Sequence, residues 1–382
     1  MEFADIDRFL DDFTYVINSD SASGNSAGIL KIAQFFKKRF SRLGMACNIL
    51  LPGDKTVPCL KATLGRPPHD ILFLGHMDTV FPEGEAAARP FSLHDNRAWG
   101  PGVCDMKGGL LVALHALETL KKTGDLDHLS ICVLFNGDEE TGSTQSRPLI
   151  QETAKTCRRV LVFEPCRPGY NLVNQRKGGG WFHMEVTGME AHAGADPHKG
   201  VNAVVELAHL VPLVQDLNDE NTGTSAQVTV ISGGDKINII PSHARASVDV
   251  RILDPKEKQR VETFFNRLSR KRLFAQSAIT VSGCIDRPPM AATQQSLAIQ
   301  DLIIKEARKM GITMGAITTG GCSDGNLTAS LGIPTIDGLG LVGANSHRTD
   351  EYVDLESIPI MVTLISRVCR QLSGDQTPGK NK

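Results

Sequence analysis

Three consecutive glycines, Gly178-Gly179-Gly180 in "RKGGG", divide this 382-residue sequence into two stretches of different grammar. Little holds a triple glycine inside a regular element, so it reads as a joint between two structural parts. Before it, short aliphatic runs alternate with a helical pattern. "ILFLG" (71–75), "LSICVLFN" (129–136) and "RVLVFE" (159–164) read as buried strands, and "MKGGLLVALHALETLKK" (106–122) carries apolar residues at helical spacing. That order predicts an α/β fold with a mostly parallel central sheet flanked by helices. After the glycines come a strand (181–188), a helix (202–217), two strands (225–232 and 244–252), a helix (255–272) and a strand (278–283). This β-α-β-β-α-β order is that of a ferredoxin-like α+β sandwich. Helical patterns return at 297–310 and near 357–372. The expected organisation is an α/β domain made of residues 1–177 and 289–382, with residues 178–288 inserted, and a disordered polar tail over the last ten residues.

Charge removes some partners. Lys and Arg number 41 against 43 Asp and Glu, and no basic stripe is interleaved with aromatics, so no nucleic acid is expected. The run "RLSRKR" (267–272) reads as the solvated face of a helix. No apolar segment reaches the roughly 18 residues of a membrane span. The acidic, amphipathic start "MEFADIDRFLDDF" lacks the basic and apolar regions of a signal peptide. Nine cysteines with no CxxC pair argue against a disulfide framework and a thiolate zinc site, and point to a cytoplasmic location.

Candidate ligands recur at strand ends. His76 and Asp78 in "GHMDTV" follow the first strand, Asp105 in "GPGVCDMKGG" precedes the helix, Asp138-Glu139-Glu140 follow the second strand, and Glu164 in "VFEP" ends the third. The carboxyl ends of strands are where open α/β sheets bind ligands. Three adjacent acids repel one another and need a cation or open solvent to face. Imidazole with several carboxylates suits zinc, cobalt or manganese in a reactive site. In an extended chain His76 and Asp78 share a face, so the Asp can orient the ring. Glu139 and Glu140 should point differently, so that one can ligate while the other faces substrate. Taken singly, each has a plainer reading: a strand-end His, an N-cap Asp, a solvated acidic turn.

Together "GHMDTV", "GPGVCDMKGG", "NGDEETGS", "FEP", "HAGADPHKGVNA", "NIIP" and "GLGLVGANSHRTDEYV" resemble, in order, the motifs of the zinc-dependent family of glutamate carboxypeptidase, aminoacylase, acetylornithine deacetylase and succinyl-diaminopimelate desuccinylase. "HMDTVFPEG" and "FEP" are most similar to the glutamate-carboxypeptidase branch. The resemblance implies a catalytic α/β domain and an inserted domain that serves as dimerisation module and lid. It also implies two divalent ions, zinc first and cobalt or manganese as alternatives. His76, Asp105 and Glu164 would hold one, and Asp105, Glu140 and His347 the other. Asp78 would buttress His76, Glu139 would be the general acid/base, and His192 would reach a neighbouring subunit's active site as an oxyanion donor. Asn238, Arg251 and, more weakly, Arg287 match positions that bind a substrate carboxylate. The implied activity is hydrolysis of an amide or peptide bond beside a free carboxylate, on a small peptide or N-acyl amino acid, by a homodimer. Alternatives are an N-acyl-amino-acid deacylase of the acetylornithine or succinyl-diaminopimelate type, and a non-catalytic peptide-binding relative.

Overall fold

The computed structural model describes residues 3, 5–54 and 56–373, so the expected disorder from 374 on lies outside the described residues. Along the chain come helices α1 (Ile6–Ile17) and α2 (Ser26–Arg42), strands β1 (Ala46–Leu50), β2 (Cys59–Leu64) and β3 (Ile71–His76), helix α3 (Gly108–Thr123), and strands β4 (Ile131–Asn136) and β5 (Val160–Val162). There follow β6 (Gly178–Thr187), α4 (Ala203–Gln215), β7 (Ser225–Gly233), β8 (His243–Ile252), α5 (Glu257–Leu268) and β9 (Ala278–Arg287). The last major elements are α6 (Gln294–Lys309), β10 (Thr335–Ile336) and α7 (Ser357–Leu372). They divide into two compact units, one of Met1–Asn174, Ala292–Thr318 and Ser323–Lys382, the other of Gln175–Ala291 with Thr319–Cys322.

The first unit is built on a six-stranded sheet in the order β1-β2-β4-β3-β5-β10. From β4 to β10 the pairing is parallel, while β1 and β2 add an antiparallel edge. Every residue of β3 and β4 is buried. That is why these strands read as continuous aliphatic runs, as parallel strands covered on both faces must. Helix α3 is buried from Gly108 to Leu120, and its start presses on the strand ends. A Cβ on Gly109 would lie 1.9 Å from the Phe163 carbonyl oxygen, so only glycine permits this approach. A small antiparallel sheet joins Gly343–Ala344, Tyr352–Asp354, Arg97–Trp99 and Ser92–His94. In it Trp99 pairs with Tyr352 and stacks on the His94 ring at 4.7 Å.

The second unit is an antiparallel four-stranded sheet, ordered β7-β8-β6-β9, packed on one face against α4 and α5. This is the split β-α-β-β-α-β arrangement. Along β6, Phe182, Met184 and Val186 are buried while Trp181, His183, Glu185 and Thr187 are exposed, the period-two alternation of a sheet with one open face. On that open face Trp181 is 67% exposed and donates its indole N–H to Asp249 at 3.1 Å. The joint read at Gly178–Gly180 is corrected: these glycines open β6 and belong to its ladder. A Cβ on Gly180 would fall 1.9 Å from the Cys284 carbonyl oxygen, and one on Gly178 would fall 2.5 Å from that of Arg287. The close passage of β9, and not a turn, demands glycine here.

Candidate metal centre

Parallel register assembles the centre. β3 and β5 pair as Leu74 with Val162, and two residues further along each strand stand His76 and Glu164. β3 and β4 pair through His76 and Asn136, after which the chain turns into Asp138-Glu139-Glu140. Asp105 comes from the irregular turn Val103–Lys107, which follows Gly102 at φ 79° and feeds α3. It is therefore not an N-cap, since the helix starts at Gly108. His76 Nε2 lies 3.2 Å from Asp105 Oδ1 and 3.6 Å from Glu164 Oε1. His347 Nε2 lies 3.4 Å from Asp105 Oδ2 and 3.1 Å from Glu140 Oε2. Two triads result, His76-Asp105-Glu164 and Asp105-Glu140-His347, within each of which the ligand atoms lie within 4.8 Å of one another.

Three carboxylates and two imidazoles make up the triads, with Asp78 against His76, and these neighbours set the ionisation of His76, His347 and Asp105. Burial opposes a charge on His76, yet hydrogen bonds to Asp105, Asp78 and Glu164 hold its proton affinity well above the ordinary value. His347 is raised to about 10 by its bonds to Asp105 and Glu140. Burial would raise Asp105, but the His347 and His76 bonds keep it far below the usual carboxylate range. Glu140 Oε1 is buried without a hydrogen-bond partner. An orphaned carboxylate oxygen beside two clusters of nitrogen and oxygen donors, with no thiolate, fits divalent ions.

Surrounding groups fix these side chains. Asp78, fully buried, meets His76 Nδ1 at 3.3 Å, and its main-chain oxygen lies 3.0 Å from the same nitrogen. The Asp78 carboxylate also accepts from Ser23 Oγ at 2.7 Å and from the main-chain N–H groups of Glu139 and Glu140 at 3.2 Å each. One residue thus orients a ligand and sets the turn carrying the two glutamates. Asp138 faces away from the ligands. It accepts from the N–H groups of Gln145 and Ser146 and from the Ser146 hydroxyl, pinning the turn from within. Sequence reasoning missed three contributors, Ser23, Asp138 as a turn anchor, and Glu351. Glu351 is buried and accepts from the N–H groups of Gly102, Cys104 and Asp105.

The remaining candidates lie in the second unit. Ala191–His192 pairs antiparallel with Ile239–Ile240, with His192 opposite Ile239, and Ala193 N–H donates to the Asn238 carbonyl at 2.9 Å, so Asn238 lies one position along the ladder from His192; both residues are exposed. His192 Nδ1 accepts from the N–H groups of Gly194 and Ala195 at 3.2 and 3.0 Å. With Nδ1 an acceptor, the neutral ring carries its proton on Nε2, which is left as an outward donor. Arg251 of β8 and Arg287 of β9 both pair with Gly179, so two guanidinium stems leave one sheet face on either side of a residue without a side chain. Arg251 meets both oxygens of Asp249, each at 2.8 Å. Cys322 packs with its thiol donating to the Lys177 carbonyl at 3.3 Å.

The pattern of Peptidase family M20/M25/M40 matches residues 72–371. Carboxypeptidase G2 of Pseudomonas sp. (strain RS-16) is 34% identical over 366 residues, covering 94% of this chain and 87% of that protein. Succinyl-diaminopimelate desuccinylase of Pelagibacter ubique is 26% identical over 93% of this chain and 96% of its own length. Among solved structures, aminopeptidase PepT from Bacillus cereus superposes with a TM-score of 0.80 at 21% identity, over 96% of this chain and 99% of that one, which speaks to the fold.

Proposed function

The chain belongs to peptidase family M20/M25/M40 and is a hydrolytic metallopeptidase, and from that premise we propose a dinuclear zinc enzyme that cleaves an amide or peptide bond beside a free carboxylate, as a glutamate-carboxypeptidase-type exopeptidase. The observation that carries the dinuclear reading is the pair of triads sharing Asp105, with Glu140 Oε1 orphaned beside them. His76, Asp105 and Glu164 would hold one ion, and Asp105, Glu140 and His347 the other. Such ions supply Lewis acidity, acidifying a water and polarising the scissile carbonyl. Asp78 holds the His76 ring in register. Glu139, half-buried on the turn that Asp78 fixes, receives the proton of the attacking water on its carboxylate and passes it to the leaving amine.

His192, with its donor proton on Nε2, stabilises the tetrahedral oxyanion, and Asn238, Arg251 and Arg287 bind the substrate carboxylate. For His192 to act, the second unit pairs with a second copy of the chain. Support comes from β7, an edge strand exposing Val230 and Ile231, and from α4, which exposes Val204 and Val205. The compartment is the cytoplasm, in keeping with nine cysteines that are all free thiols.

The rival, an N-acyl-amino-acid deacylase, draws on the likeness to the desuccinylase. A substrate panel separates the two. We expect the highest kcat/KM on folate-like and N-acyl-glutamate compounds, and preference for N-acetyl or N-succinyl amino acids would replace the first reading with the second. The trans role of His192 is tested by mixing two nearly dead homodimers, His192→Ala and Glu139→Gln. Activity should reappear on subunit exchange, because one site of the heterodimer then holds both an intact base and an intact donor. A verified heterodimer as inactive as its parents refutes that role.

A further inference from the structure

Glu351 immediately precedes the short strand Tyr352–Asp354 that returns from the His347 loop, and it is wholly buried. Its Oε1 accepts the N–H groups of Cys104 and Asp105, each at 2.8 Å, and its Oε2 accepts that of Gly102 at 3.0 Å. The buried Lys107 acts on it electrostatically, while the hydrogen bonds of both its oxygens go to a single stretch of main chain. That stretch needs restraint. Asp105 (φ −115°, ψ 99°) and Met106 (φ −128°, ψ 29°) both leave the helical conformation in this turn, which Lys107 N–H closes onto the Gly102 carbonyl at 3.0 Å, so the Asp105 N–H depends on a partner outside any helical ladder. A carboxyl group accepting N–H groups from Gly102, Cys104 and Asp105 at once ties the whole turn to one side chain.

The tether has a direction. His347 and Glu351 sit on one loop, four residues apart, with His347 itself at the left-handed φ of 68°. The loop therefore brings an imidazole to the Asp105 carboxylate and a carboxylate to the Asp105 main-chain N–H. We propose that Glu351 is the positioning residue for the shared ligand: it holds Asp105 so that Oδ1 reaches the first triad while Oδ2 reaches the second, and it ties that placement to the placement of His347. The proposal rests on the dinuclear reading. It goes beyond it in assigning the geometry of the bridge to a carboxylate that is itself outside both triads.

A purely structural Glu351 would support folding without setting the bridge. Titrating Co²⁺ into metal-free wild type and Glu351→Gln, well below the melting temperature of each, tells these apart. Gln keeps the size but sets an amide NH₂ against N–H donors. Positioning predicts Co²⁺ affinity weakened about 10–100-fold, the scale seen when groups behind metal ligands are removed, with the d–d absorption changed in position and intensity. A folded variant that melts earlier but binds Co²⁺ with wild-type affinity and spectrum overturns the proposal. If Glu351→Gln does not fold, Glu351→Asp, which keeps the charge but withdraws it by one methylene, takes its place. It should bind Co²⁺ more weakly than wild type, and unchanged affinity again overturns the proposal. Wild type taking up only one Co²⁺ overturns the dinuclear reading and with it the bridge argued here, whereas two ions in wild type and an unaffected variant overturn the Glu351 assignment alone.

Discussion

Each unit buries a carboxylate among acceptors and donors, and the two are neutralised in opposite ways. In the second unit Glu206 of α4 is fully buried, and the chain satisfies it completely: Leu273 N–H at 2.7 Å, Phe274 N–H at 2.8 Å and the Ser277 hydroxyl at 2.8 Å. In the first unit Asp105 meets two imidazoles, Glu140 keeps an orphaned oxygen, and Glu164 closes the group. Glu206 is saturated by donors of the 273–277 segment, which take part in neither triad, so it serves to hold α4 to that segment. Carboxylates that meet imidazoles and keep an oxygen without a partner, as Glu140 does, form a set of donor atoms suited to a divalent ion. Burial alone does not distinguish them; the nature of the partners does.

The sharpest test of that contrast is Asp105→Ala. Removing the shared carboxylate should abolish the binding of both ions and take activity to background, beyond the roughly 10–100-fold expected for a supporting residue, and the stabilisation by metal should disappear as well. Elemental analysis showing two metals per chain in this variant would break the comparison. Next in size is Glu139→Gln, for which kcat should fall about 10²–10⁴-fold, the range of general acid–base catalysis, with metal content unchanged. A fully active variant would strip Glu139 of its role.

On the other side of the comparison, Glu206→Ala should leave metal content intact and cost stability alone. Two main-chain N–H groups and the Ser277 hydroxyl lose their acceptor, a cost of about 1 kcal/mol per hydrogen bond, and denaturant unfolding of the second unit reads the loss. The smallest effects are those of pH, and the two regions answer it with opposite sign. Burial pushes Glu206 up, but its three donors hold it below the ordinary 4.5, so its contribution is present above that pH and is lost as pH falls through the lower folded value. His347 is raised from 6.5 to about 10 in the metal-free protein. Its contribution is complete below 6.5 and is lost as pH rises through about 10. Metal-free protein should therefore melt slightly earlier at pH 9.5 than at pH 7, by a small margin because the side chain is half-exposed and screened. Zinc-loaded protein should lack the decline, and zinc uptake should release protons. An alkaline decline of equal size with and without zinc would count against His347 as a ligand.

What could be read from the sequence follows the range of the interactions. β3, β4 and α3 were legible because burial on both faces writes itself as an aliphatic run; His76 and Glu164 stood out because parallel strands align their carboxyl ends, and Asp105 because it lies just ahead of the helix that follows β3. The split order of the second unit was equally plain. The glycine triplet stands close to the start of the second unit at Gln175, but for another reason than a joint: the crowded crossing of β9 demands glycine there, and only the position of β9 reveals it. His347 and Glu351 were out of reach of spacing, being brought to Asp105 from some 240 residues away by a loop with no periodic signature. Asp138 looked like a ligand with its neighbours and proved to be their anchor, because three adjacent acids need not face one way.

The placement of the two tryptophans lends the molecule a pair of optical reporters. Trp99 lies in the first unit, paired with Tyr352 immediately after Glu351 and stacked on an imidazole that quenches emission when protonated. Trp181 lies in the second, largely in water. With only these two indoles in the chain, replacing one by Phe leaves the other as a single fluorophore. Light from Trp99 would then follow the loop that grips Asp105 as ions arrive, while red-shifted light from Trp181 would follow the sheet of the second unit, and the two halves could be watched separately in one cuvette.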